Sequence, residues 1–174
     1  AITAGSKVSM FFCCPYDAMG STMATYAGQN VGAGKLDRVN KGMLSCCLLG
    51  LIYAVLACVF LFFFGRYTAL LFMEASEKAI LGNVTTFLLI NSAFFFPLSL
   101  VNIIRFTIQG MGYSVLAICA GICEMVARSI VGFVFVPMWG FVAACFASPV
   151  AWICADIFLI PAFFYCLRRL KKVY

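Results

Sequence analysis

The sequence predicts an all-α integral membrane protein with about five transmembrane helices. Three observations carry that prediction. Of the 174 residues, 65% are hydrophobic and 10% charged, with a mean hydropathy of +1.08, an oil content that no water-facing surface sustains. The apolar residues gather in long runs, and because a helix crosses the hydrocarbon in roughly 20 residues, the chain has room for about five crossings and their loops. Most of the Lys and Arg residues stand at the ends of those runs, so the net charge of +6 is the charge of membrane topology rather than of a nucleic-acid surface. The lipid bilayer is the partner implied, and nucleic acid is excluded.

Taken in order, the first helix runs from about Val8 to Gly28, with Pro15 inside it and Gly20, Ala24 and Gly28 spaced by four along one face. Such a small-residue stripe lets a second helix approach closely. A polar, glycine-rich, basic loop follows over Gly28–Gly42, because three glycines in its first seven residues do not readily continue a helix. The second helix, Met43 to Phe64, is uncharged and the plainest crossing in the chain. It closes at Gly65-Arg66-Tyr67, and the segment to Lys78, with Glu74 and Glu77 beside Leu70, Leu71 and Phe72, reads as a short helix lying in the membrane interface. The third helix spans about Ala79 to Ile104, with Asn83, Asn91 and Asn102 as its polar interruptions. Arg105 opens the next connection, and Gly110 and Gly112 turn the chain. The fourth helix, about 113–135, is broken at Pro137-Met138-Trp139-Gly140, with Trp139 suited to the headgroup level. The fifth runs from about Phe141 to Cys166 and stops at Arg168, Arg169, Lys171 and Lys172.

Strict alternation of five crossings places Lys35, Arg38, Lys41, Arg105 and the four terminal cations on one side, leaving Lys7, Arg66 and Lys78 on the other. The positive-inside rule then makes the first side cytoplasmic, C-terminus included. All ten cysteines fall within apolar runs, no CxxC pair occurs and histidine is absent, so reduced helix-packing thiols fit better than disulfides or zinc. Without histidine no Ser–His or Cys–His nucleophile can be built; no catalytic residue and no cofactor is expected, and the protein reads as a non-enzyme. Gly32-Ala33-Gly34-Lys35 has the wrong spacing for a phosphate-binding loop, and no Ser or Thr follows its lysine.

The same loop carries a family resemblance. Gln29-Asn30, Gly32-Ala33-Gly34-Lys35 and Asp37-Arg38 together resemble the signature that follows the second helix of each six-helix lobe in the multidrug and toxic-compound extrusion (MATE) transporters. Farther on, Arg105-Phe106 with Gln109-Gly110-Met111-Gly112 resembles the turn after the fourth helix of the second lobe, Glu124 with Arg128 its fifth helix, and Ser148-Pro149-Val150-Ala151-Trp152 its last. The resemblance covers essentially residues 1–174. It implies that this chain is most of the C-terminal lobe of a twelve-helix transporter, lacking the N-terminal lobe and the first helix of its own lobe. The start at Ala1, already entering a helix, is also expected of a piece of a longer chain. What the resemblance implies about activity is efflux of organic cations across the plasma membrane by proton- or sodium-coupled antiport, with the missing lobe as partner. Two alternatives stand beside it: a flippase for lipid-linked saccharides on a related fold, and a non-transporting membrane subunit.

Buried charges are the clue to mechanism, since each costs several kcal/mol in the bilayer unless paired, protonated or in water. Asp17 lies about 14 Å along its helix from Val8, near the midplane. With Ser21 one turn on and a carbonyl released by Pro15, it is a candidate to hold a proton or a sodium ion; the plainer reading is a protonated or bonded helix-positioning residue. The resemblance supports a coupling role in general, but the coupling carboxylates best known in the family are not matched by Asp17. Glu124 and Arg128, four apart on one face, neutralise each other, either as a structural pair or as a switch that a proton or drug opens. Asp156 reads as structural, near the inner end and within reach of the loop cations. Asn91 is either a helix–helix hydrogen bond or, by its depth, a cavity residue. Phe94, Phe95 and Phe96 mostly face lipid.

Overall fold

A computed structural model describes residues 2–71 and 78–173. Its elements are α1 (Ile2–Gly32), α2 (Leu36–Leu71), α3 (Lys78–Ala93), α4 (Phe95–Gly110), α5 (Ser114–Ile130), a π-helical turn (Val131–Phe135) and α6 (Val136–Leu170). Among the described residues the fold is all-α, and helices occupy nearly every position. The interfacial segment read around Glu74 and Glu77 lies outside the described residues.

Five crossings emerge once the breaks are placed. α3 and α4 are bent by 54° at Phe94, yet they form one crossing, as their packing on α1 shows. Phe87 lies over Gly5, Phe106 over Gly20, and Gly110 against Ala24, so the bent pair runs parallel to α1 along its length. At the other break, α6 is interrupted at Gly140, whose φ of 60° and ψ of −134° favour glycine. The chain therefore crosses once over 114–139 and again over 141–170. Among the described residues, α2 and the stretch from Ser114 to Leu170 are long and apolar enough to cross on their own. α1 does not join them, because one of its faces is polar.

The helices extend farther than the apolar runs. α2 continues through Gly65-Arg66-Tyr67, and α4 continues through Arg105 to Gly110. The expected fifteen-residue loop shrinks to Ala33–Lys35, because Gly28 and Gly42 are packing glycines rather than turn glycines. A Cβ at Gly28 would lie 3.3 Å from the Gly110 carbonyl oxygen, and one at Gly42 would lie 2.4 Å from the Tyr26 ring. The turn itself belongs to Gly34, at φ 68°. Lys35 N–H donates to the Asn30 carbonyl at 2.8 Å and Gly34 N–H to Val31 at 3.0 Å, a Schellman motif that satisfies carbonyls left over at the helix end. The same device closes α4: Gly112 has φ 91°, Tyr113 N–H reaches Ile108 at 3.1 Å and Gly112 N–H reaches Gln109 at 3.0 Å. The two motif segments are thus two copies of one helix stop.

The core collects side chains from every crossing, with Tyr16, Leu61, Phe95, Ile108, Leu159 and Phe163 all within it. Phe95 is 0% exposed, and Phe94 and Phe96 pack on the same cluster. The aromatic triplet therefore fills the interior where the chain bends, not the lipid face. All ten thiols are free.

One end of the bundle is basic. Lys171 Nζ donates to Asp37 Oδ1 at 3.0 Å, and Arg169 lies 5.9 Å from the centroid of Tyr113, an attraction between cation and ring. The glycine turn, the Gly112 turn and the C-terminal cations therefore share one end, as an odd number of crossings requires.

Candidate functional site

Two groups of polar side chains interrupt the oily bundle. The first is a stripe on α1. Lys7, Cys14, Asp17, Ser21, Thr25 and Gln29 are all exposed, and their spacing of three, four or seven keeps them on one face. Beside that face, Gly20, Ala24 and Gly28 press against α4, and on the far side Val8, Tyr16, Met23 and Ala27 are buried in the bundle, so the polar stripe is left outward. Asp17 sits midway along α1. A mid-bilayer carboxylate followed by the hydroxyls of Ser21 and Thr25 on the next two turns fits water or another polar protein surface better than lipid.

The sodium cradle expected around Asp17 is not assembled within this chain. Ser21 donates its hydroxyl to the Asp17 main-chain carbonyl at 2.9 Å, one of several such bonds back along α1. The carbonyl released by Pro15 is that of Phe11; one residue on, the Phe12 carbonyl accepts the Tyr53 hydroxyl at 3.1 Å. Among the described residues no three Cys, Asp, Glu or His side chains converge. A metal cation at Asp17 would need further oxygen ligands from outside this chain.

The second group lies between α4, α5 and α6. Glu124 on α5 accepts from Arg105 on α4 through Oε1 and from Arg128, one turn along α5, through Oε2 at 3.4 Å. The side chains of Glu124 and Arg128 are 13% and 48% exposed. Arg105 is therefore not a loop cation. It stands inside α4, five residues before its end, and supplies the principal partner of Glu124, which the pairing of Glu124 with Arg128 alone had left out. No spacing in the sequence reveals this bond, because it spans nineteen residues across the Gly112 turn. The signal available was indirect: a tight turn makes α4 and α5 antiparallel neighbours, and a long arginine side chain spans the difference in depth.

Asp156 completes this group. It is 7% exposed and stands at the middle of the 141–170 crossing, not near its inner end. Its charge neighbours are Glu124 and Arg105 rather than the loop cations. Its Oδ1 has no hydrogen-bond partner, and neither does the buried Nε of Arg105.

Apart from Gln29, the remaining positions lie outside these two groups. Asn91 is buried and donates to the Phe87 carbonyl at 2.9 Å and across to Cys145 at 3.5 Å, so it ties α3 to α6. Asn30 is also buried and donates to Tyr26 at 2.8 Å. Gln29, Gly32, Lys35 and Arg38 lie exposed at the basic end, where the Arg38 carbonyl accepts the Tyr26 hydroxyl at 3.3 Å. Gln109 is exposed and lends its carbonyl to the second helix stop.

A bundle of membrane-crossing helices with a polar stripe outside and ion-paired charges inside defines a polytopic helical membrane protein. The MatE family model matches residues 1–134, and the chain belongs to that family. No curated protein matches it. Among solved structures, it resembles the outward-facing conformation of a multidrug resistance MATE family transporter of the MOP superfamily, with a TM-score of 0.90 at 17% identity over 98% of this chain and 39% of that one. It also resembles an inward-facing conformation of such a transporter, with a TM-score of 0.85 at 15% identity over 98% of this chain and 40% of that one. The chain thus spans about two fifths of the length of the transporters it matches.

Proposed function

We propose that this chain forms the C-terminal lobe of a proton- or sodium-coupled exporter of organic cations, lacking the first helix of that lobe, and that it works by alternating access with an N-terminal lobe. The observation that carries the reading is the polar face of α1. Asp17, Ser21 and Thr25 are exposed on a helix whose far side, with Tyr16, Met23 and Ala27, is buried in the bundle, which suits a helix lining a central aqueous cavity between two lobes. The matches to both an outward-facing and an inward-facing transporter support a lobe that keeps most of its fold while the assembly rocks. In this reading the basic end faces the cytoplasm, in keeping with the positive-inside rule, and the exporter acts in the plasma membrane.

The test is transport by the full-length chain in proteoliposomes. An imposed proton or sodium gradient drives accumulation of a fluorescent organic cation, and Asp17→Asn lowers the coupled rate at least tenfold while the protein still inserts. Failure of both gradients to drive uptake overturns the exporter reading. An unchanged dependence on pH and sodium in Asp17→Asn overturns the role of Asp17 alone.

A further inference from the structure

We propose that Asp156 is a proton-binding carboxyl, and that Arg105, held by Glu124 while Asp156 is protonated, turns its free Nε–H to Asp156 when the proton leaves. The geometry supplies each part. Asp156 is 7% exposed with Oδ1 unpartnered, and an ionised carboxylate without a partner is costly at mid-bilayer. A proton removes that charge. The buried Nε of Arg105 is a donor still unclaimed in the same group, and it becomes a partner for the carboxylate once the proton is gone.

The surroundings favour a proton over a metal ion. The ionisable groups coupled to Asp156 by charge are Glu124 from α5 and Arg105 from α4 and Cys47 from α2, with Arg128 behind Glu124. The π-helical turn carries no charge, and α3 has none beyond Lys78 at its start. Two guanidinium groups repel a metal cation, and among the described residues no third metal-type carboxylate joins the pair. With both carboxyls ionised the four charged groups sum to zero; with Asp156 protonated they carry one net positive charge.

A groove of about 510 Å³ along α5 and the π-helical turn is lined by Glu124, Met125, Arg128, Ser129, Gly132 and Phe133 among others, so Glu124 borders both the groove and the ion-paired group and offers a proton a way toward Asp156. A hydronium ion in the groove gives up its proton and becomes water, and the Asp156 carboxylate becomes a neutral acid. Nothing else is consumed. The exchange of Arg105 between α5 and α6 then offers a way for proton occupancy to bias how these helices sit on α4.

For its physiological meaning this inference rests on the exporter reading, but its test does not. Infrared difference spectra of the purified full-length chain, recorded between acid and alkaline pH, will contain a protonated-carboxyl carbonyl band. That band disappears in Asp156→Asn, amounting to one titrating carboxyl per chain. It shifts in frequency in Asp156→Glu, and persists with a displaced midpoint in Glu124→Gln. An Asp156→Asn spectrum with every titrating carboxyl band retained overturns the proposal, as does an Asp156→Glu spectrum identical to the original. If the band is lost in Asp156→Asn while the chain moves no organic cation, the proton site stands and the exporter reading falls.

Discussion

Replacing Gly110 by alanine is the sharpest perturbation of this fold. The added Cβ would lie 2.2 Å from the carbonyl oxygen of Ala24, 2.7 Å from its Cα and 2.8 Å from its carbonyl carbon. All three are backbone atoms, so no side chain can swing aside to make room. Restoring even a 3.0 Å contact requires α1 and α4 to part by about 0.8 Å. A gap of that order forfeits roughly a quarter to a half of each dispersion contact along the seam, and overpacking typically costs about 1–3 kcal/mol. The helix propensity gained on replacing glycine, roughly 0.5–1 kcal/mol, only partly offsets this. Gly121→Ala is the control, since nothing lies within 4 Å of a Cβ placed there. In detergent, thermal unfolding followed by size-exclusion chromatography is expected to show Gly110→Ala melting several degrees below both the parent and Gly121→Ala. Equal melting temperatures for the two alanine variants would refute the close-approach account of Gly110.

Two further outcomes follow from single contacts. Asn91→Leu removes the bond to Cys145 and, at roughly 0.6–2 kcal/mol for such a helix–helix link, lowers the melting temperature without changing the affinity for organic cations measured by fluorescence quenching; altered affinity would show that Asn91 lines the cavity after all. The Asp37 carboxyl is held below its ordinary value of 3.8 by the hydrogen bond from Lys171 and then by its charge. A depressed folded pKa contributes stability above the unfolded value that is lost as pH falls through the folded one. Asp37→Asn should therefore lower stability slightly at neutral pH and not at all below the carboxylate range, and a deficit that persists in acid would rule out the pair as its cause.

Much of the architecture was legible beforehand, for reasons that can be named. The run from Met43 to Phe64 had to cross the bilayer whatever its neighbours, because its apolar length is a property of the segment. The stripe of Gly20, Ala24 and Gly28 announced a close helix contact through its spacing alone. Gly28 and Gly42 misled because a glycine that admits a neighbouring carbonyl or ring is written with the same letter as a glycine that turns the chain. Among the described residues only Gly34, Gly112 and Gly140 adopt positive φ, and that depends on where each helix stops. The phenylalanine triplet misled in the same way, since hydrophobicity does not distinguish a ring facing lipid from one filling a bend.

The candidate site divides along the same line. Asp17, Glu124 and Arg128 stood out as charges inside oil, because the cost of placing a charge in hydrocarbon is paid residue by residue. That local cost is also why the sequence alone settled the membrane class, the five crossings and the sharing of one end by the glycine turn and the terminal cations. Only the tertiary structure could give Arg105 to Glu124, shut Asp156 away from the loop cations and turn Asn91 into a tie between helices. Those outcomes depend on which helices adjoin and how they are rotated, and such interactions between distant segments leave no mark in the spacing of any one of them.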